Sequence, residues 1–273
     1  MANKLYYESF PDIYRFMDTI EKRPNNKMFG ESASKVDESA WYGTKTYDEA
    51  VQQFSNGLPE VAEKMKAALT QFTAKANIVT TKRTPRSYYY GYAPNIPAAI
   101  VGLPKSMYQV QRIQQKTKTL GILWNSCQNC GVEADTLRQS GESVLQLVYM
   151  LERKGYRVQL DCIPFSGNDS DRDFVLIINL KQYAQHMDIL KLTFPVTSPA
   201  MFRRFGFKWA EGIPNVTGGT VWGYGSHLSK KRLLPILEQQ GYNIKSTYCI
   251  DVTDCQENNF DPLKIAESLG IVV

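Results

Sequence analysis

Apolar positions along the chain change their period near the middle. Before about residue 72 they recur every three or four positions, whereas after Lys118 they fall into short runs and alternating stretches. In Asp12–Ile20 the residues Ile13, Phe16, Met17 and Ile20 lie on one helical face, which predicts a helix. Thr46-Tyr47-Asp48-Glu49 has the form of a capping box, with the threonine oxygen taking an early N–H and the glutamate reaching back. Ala50, Val51 and Phe54 then form the apolar stripe, and Asn56-Gly57 closes the helix. Pro59 suits the first turn of a further helix bearing Val61, Met65, Leu69 and Phe72.

The second half reads as α/β. Thr119–Trp124 is a short apolar run suited to a buried strand. Leu137, Val144, Leu145, Val148 and Leu151 mark a helix that Gly155 ends. Tyr156–Cys162 alternates, Phe165–Arg172 reads as a loop, and Phe174–Ile178 is again a strand. That order predicts a parallel crossover followed by an antiparallel hairpin. Helices are expected at Ala184–Leu190, around Met201–Phe205 and over Ser229–Gln240, where Pro235 forces a late start or a bend. Ile244–Ile250 is a further strand, and Asp261-Pro262 opens a last helix that Gly270 closes. The expected fold is a mostly parallel, Rossmann-like α/β sheet with an antiparallel edge hairpin and a helical N-terminal extension. Three segments follow: a helical extension over 1–79, an extended junction over 80–117 and an α/β domain over 118–273. Pro85, Pro94 and Pro97 keep the junction out of helix.

Composition narrows the classes. At 273 residues and 43% hydrophobic content the chain can build a substantial core. No apolar run approaches the roughly 18 residues of a membrane span, and the start lacks a signal-peptide core. Five cysteines at irregular spacing do not form a disulfide framework, so a reducing, cytoplasmic setting is expected. The net charge of +5 permits an anionic partner without requiring one.

Three basic groups are candidates for binding nucleic acid. Lys82, Arg83 and Arg86 precede Tyr88-Tyr89-Tyr90-Gly91-Tyr92, where cations could hold phosphates while rings stack on bases. Arg203 and Arg204 sit among phenylalanines, and could clamp an anion or cover a core edge with their stems. Lys230, Lys231 and Arg232 open a helix against its dipole, a small conflict that an anion would relieve. The plain alternative for each is an ordinary solvated or packed surface. Cys127-Gln128-Asn129-Cys130 is a Cys-x-x-Cys, open to structural, redox or zinc readings. Of the two histidines, His186 reads as a surface group, and His227 beside Ser226 is too little for a triad.

Three polar loops after apolar elements, Asn125–Asn129, Thr217–Thr220 and Asp251–Asp254, come in an order that resembles a von Willebrand factor A-type domain. The resemblance implies that such loops meet at the carboxyl ends of the strands, around a divalent metal. The family's loop positions fall here on Asn125, Cys127, Asn129, Thr220 and Asp254. The first loop lacks the carboxylate and the serines, so neither a tight Mg²⁺ or Ca²⁺ site nor any cofactor is expected. Trp41–Ala50, Leu151–Val158 and Pro199–Phe205 resemble a group of uncharacterised proteins of tailed bacteriophages and prophages. That resemblance implies a phage setting, in an infected host's cytoplasm or on the virion. The leading expectation is a non-catalytic binding or scaffold protein with a protein partner; the alternative is a nucleic-acid-binding protein.

Overall fold

The first strand is one that the sequence pattern does not predict. A computed structural model describes residues 4–24, 36, 40–75, 86–109, 118–168, 172–213 and 227–271. In it Lys4–Phe10 (β1) pairs with the strand Arg172–Lys181 (β7) and extends the main sheet. Tyr6 and Phe10 turn to one face of that sheet and Leu5 and Tyr7 to the other. Both faces are apolar, which hides the alternation in the sequence. The segment expected as a helical extension is therefore partly sheet.

The described chain continues through α1 (Ile13–Lys22), α2 (Tyr47–Asn56), α3 (Pro59–Lys75), β2 (Arg86–Tyr88), β3 (Ala93–Pro94), α4 (Ile96–Ile100) and β4 (Met107–Gln109). Then come β5 (Thr119–Asn125), α5 (Ala134–Arg153), β6 (Arg157–Asn168), β7 and α6 (Ile189–Thr197). A π-helical turn, Met201–Gly206, leads into α7 (Phe207–Glu211). The last elements are α8 (Lys230–Gln239), a 3₁₀ turn, β8 (Thr247–Ile250), α9 (Val252–Glu257) and α10 (Pro262–Ser268).

The main sheet has the order β1-β7-β6-β5-β8. β5 is parallel to β6 and to β8, while β6 and β7 form the antiparallel hairpin with β1 alongside. The α/β class and the two expected pairings are thus present. Both hairpin strands run further than the sequence suggests, to Asn168 and from Arg172, and a bulge shifts their register near Asp161–Phe165.

Phe165, Phe174, Leu176 and Ile178 pack against α1, α2, the π-turn and α7 on one face. Leu123, Ile163, Val175 and Ile177 meet Leu233 and Leu237 of α8 on the other. The Thr46 cap forms as expected, with Glu49 N–H donating to Oγ1 at 3.1 Å. The returning glutamate accepts instead from Lys45 N–H, one residue earlier than the capping-box pattern places it. No helix covers Ala184–Asp188, because Asp188 is itself the N-cap of α6.

The chain divides into two compact units, residues 1–71 with 118–273, and residues 72–117. The stretch expected as an extended junction therefore has structure of its own, a three-stranded sheet ordered β2-β4-β3 with α4 between β3 and β4.

Candidate functional site

The carboxyl ends of β5 and β8 form a topological switch point. The chain leaves β5 through α5 toward β6 on one side, while β8 lies on the other. Ligands of open α/β sheets bind outside such ends. Trp124 pairs with Ile250, so the next step of the register sets Asn125 beside Asp251. Two of the three expected loops meet here; Thr220 lies outside the described residues.

The chemistry of this edge is not that of a metal centre. Asn125 is fully buried; its Oδ1 accepts from Cys127 N–H at 3.3 Å, and its Nδ2 has no partner, nor does Gln128 Nε2. Cys127 is buried too, and its Sγ donates to the Ser166 carbonyl at 3.1 Å. Burial pushes that thiol up to about 12, far from a thiolate ligand or redox nucleophile. Cys130, its Cys-x-x-Cys partner, is exposed. Asn129 Oδ1 lies 3.3 Å from His227 Nδ1, and burial lowers the His227 pKa although Asp251 opposes the shift.

Asp254 is a cap rather than an open ligand position. Asp251 and Asp254 form a reciprocal capping box on α9, with bonds of 3.1 Å and 2.8 Å. Lys230 brings its ammonium to Asp254 and within 3.4 Å of Asp251. Burial works against the Lys230 charge, but these carboxylates outweigh it and leave its pKa raised. The cation at this edge is supplied by the chain itself. Among the described residues no set of three or more His, Cys, Asp or Glu converges as a metal site needs.

The same geometry resolves the conflict at the start of α8. Arg232 pairs with Asp173 at 2.7 Å, so the anions that answer Lys230 and Arg232 are internal. Lys231, which is exposed, is the one of the three without an ion pair among the described residues.

Arg203 and Arg204 require the largest correction. Both are fully buried in the π-turn and form no exposed basic surface. The Arg203 guanidinium lies 4.1 Å from the Trp41 ring centre and donates to the carbonyls of Trp41 and, at 2.5 Å, Val132. Arg204 stacks on Tyr42 at 4.1 Å and donates to the carbonyls of Val36, Thr44 and Lys45 at 2.6–2.9 Å. Trp41 in turn donates from Nε1 to the Cys130 carbonyl at 2.8 Å. The pair clasps the segment before α2 to the loop after β5. Gly206 lets the turn sit against β6, since a Cβ there would come within 2.6 Å of the Pro164 carbonyl.

Two buried polar groups escape the sequence pattern. Lys181 forms an ion pair with Glu152 at 2.5 Å. Asp161 accepts from Tyr242, Asn179 and Gln159 at 2.6–2.7 Å, and burial raises its pKa. Alternation placed Asp161 on the open face of its strand, but Tyr242 covers it there.

The 72–117 unit is chemically unlike the rest. It contains seven Lys and Arg and no Asp or Glu, whereas the remainder has 25 against 27. All of the chain's net positive charge therefore arises from these residues. Lys82 and Arg83 lie outside the described residues, and Arg86 stands on β2 opposite Gln109. Seven of the ten exposed large hydrophobics among the described residues also lie here: Tyr89, Tyr90 and Tyr92, with Ile96, Ile100, Val101 and Leu103. Lys105 is exposed, its ammonium 5.6 Å from the Tyr89 ring centre.

Sheet and sites together define an α/β protein with a structured, acid-free insert. The chain belongs to the family described as a domain of unknown function (DUF7192), whose model matches residues 2–272. No curated protein and no solved structure matches it. Among the described residues no helix is long and apolar enough to cross a membrane.

Proposed function

We propose that this is a non-catalytic binding or scaffold protein of a bacteriophage or mobile element. Its α/β unit is the frame, and the 72–117 unit carries the contact surface. The observation that carries the reading is the concentration of exposed rings and aliphatic side chains between Tyr89 and Leu103. Protein surfaces that keep such a patch in water generally use it for contact. The phage setting rests on the resemblance of Trp41–Ala50, Leu151–Val158 and Pro199–Phe205, and the A-domain likeness on the loops after β5 and β8.

A partner bearing negative charge is favoured by a separate observation, the seven cations of this unit without one carboxylate. Heparin beads and a pair of charge-matched variants test both parts. Full-length protein should be retained at low salt, and Lys105→Glu should elute earlier while Lys231→Glu on α8 elutes near the wild type. Equal shifts from both variants would mean diffuse attraction and would count against a localised surface. Failure of the wild type to be retained would remove the anionic partner.

A further inference from the structure

We infer that the anionic partner of the 72–117 unit is single-stranded nucleic acid, held by Tyr89, Tyr90 and Tyr92 as stacking platforms beside Lys105. The inference rests on the reading of this unit as the contact surface and names its occupant.

The turn that carries the rings is held tightly. Tyr92 N–H donates to the Tyr108 carbonyl at 2.9 Å, which folds the Tyr88–Tyr92 turn onto β4. A Cβ on Gly91 would stand 2.0 Å from that same carbonyl, so only glycine fits at this position. Tyr89, Tyr90 and Tyr92 are left 65%, 70% and 68% exposed. Three rings in four residues thereby forgo the burial that large aromatic side chains ordinarily gain. Lys105 adds a positive charge at the ring cluster without a carboxylate anywhere in the unit to neutralise it.

Ring faces next to a lysine that no carboxylate of its own unit neutralises match a strand whose bases are free. Phosphates answer the cations and each unstacked base offers a flat face to a tyrosine. A duplex keeps those faces inside its own stack, so it would meet the charge but not the rings. An anionic bilayer would meet the charge and the aliphatic residues Ile100, Val101 and Leu103, but it offers the phenol rings no flat face to stack on.

Fluorescence anisotropy with a labelled 20-mer of thymidine, the matching duplex, and sedimentation with phosphatidylglycerol vesicles separate these outcomes. The single strand should bind at least about tenfold tighter than the duplex at low salt. Tyr90→Ser and Tyr92→Ser should each weaken it by about tenfold, the lower range for loss of one stacked base. Lys105→Glu should make the slope of log affinity against log salt shallower by about 0.7, the value for one phosphate on a single strand. Melting curves should be unchanged, because all three side chains are exposed. Equal affinity for strand and duplex, tyrosine variants that bind like the wild type, or vesicle binding without oligonucleotide binding would each overturn the inference. If heparin retains the protein and the oligonucleotides do not bind, the partner named here is wrong while the contact surface stands. If neither is bound, the anionic partner falls together with the strand named here.

Discussion

Arg203-Arg204 and the Lys82–Arg86 stretch look alike in the sequence, as basic residues set near aromatics, yet they belong to different units of the chain. The first pair is fully buried, donating mostly to main-chain carbonyls, with its charges stacked on Trp41 and Tyr42. The second belongs to a unit without a single carboxylate, in which Tyr89, Tyr90 and Tyr92 face water. Charge in a sequence reports the kind of partner a residue needs, not where that partner is. For Arg203 and Arg204 much of the partner is the backbone of the same chain; for the 72–117 unit we propose that it lies outside.

The sharpest way to break that comparison is to remove a buried guanidinium. Arg204→Ala should strand the carbonyls of Val36, Thr44 and Lys45 and empty the space over Tyr42, costing about 3–5 kcal/mol. Chemical denaturation of the purified variant measures this, and a loss below about 1 kcal/mol would show that the clasp is not structural. Gly206→Ala should follow, at about 1–3 kcal/mol, because its Cβ would press on the Pro164 carbonyl. At the other extreme Lys231→Glu, on the exposed start of α8, should move stability by no more than about 0.5 kcal/mol.

Two further tests sharpen the account of the sheet edge. The four buried thiols, Cys127, Cys162, Cys249 and Cys255, are each pushed up to about 12, so in native protein an aromatic disulfide reagent should titrate Cys130 alone. Rapid reaction of Cys127 would mean that the loop after β5 opens. For His227, burial lowers the pKa in the folded state, so folding disfavours the protonated form. Its contribution is full above the unfolded value near 6.5 and is lost as pH falls through the lower folded value. The melting temperature should therefore drop less between about pH 7 and pH 5 in His227→Gln than in the wild type. An identical drop in the two proteins would place His227 in water.

How much of this was legible depends on where each signal resides. Strand β5, the helix α5 and the caps Thr46 and Asp261 follow from local periodicity and turn chemistry, as do β6 and β7, which run on into the stretch expected as their loop. β1 was missed because its two faces are both covered, and alternation vanishes when each side is apolar. Asp188 was read as helix interior, although an aspartate before an apolar run equally marks a cap. Asp254 resembled a metal ligand on its place in a loop; the same place serves a capping box, and only Lys230, 24 residues earlier, distinguishes the two. The buried arginines could not be located from sequence at all, since their carbonyl partners lie 71 to 168 residues away. The absence of carboxylates from 72–117 is fully visible in the letters. It gains meaning only once the fold marks that stretch as a unit.

The central claim is that the two basic regions have exchanged roles, one structural and one for contact. It is tested most directly by reading stability and single-strand binding together on Arg204→Ala and Lys105→Glu. The account predicts that Arg204→Ala lowers the melting temperature and leaves the affinity of the remaining folded protein unchanged. Lys105→Glu should do the reverse, weakening binding with no change in melting. A stable Arg204→Ala protein that loses binding, together with a Lys105→Glu protein that keeps it, would contradict the account.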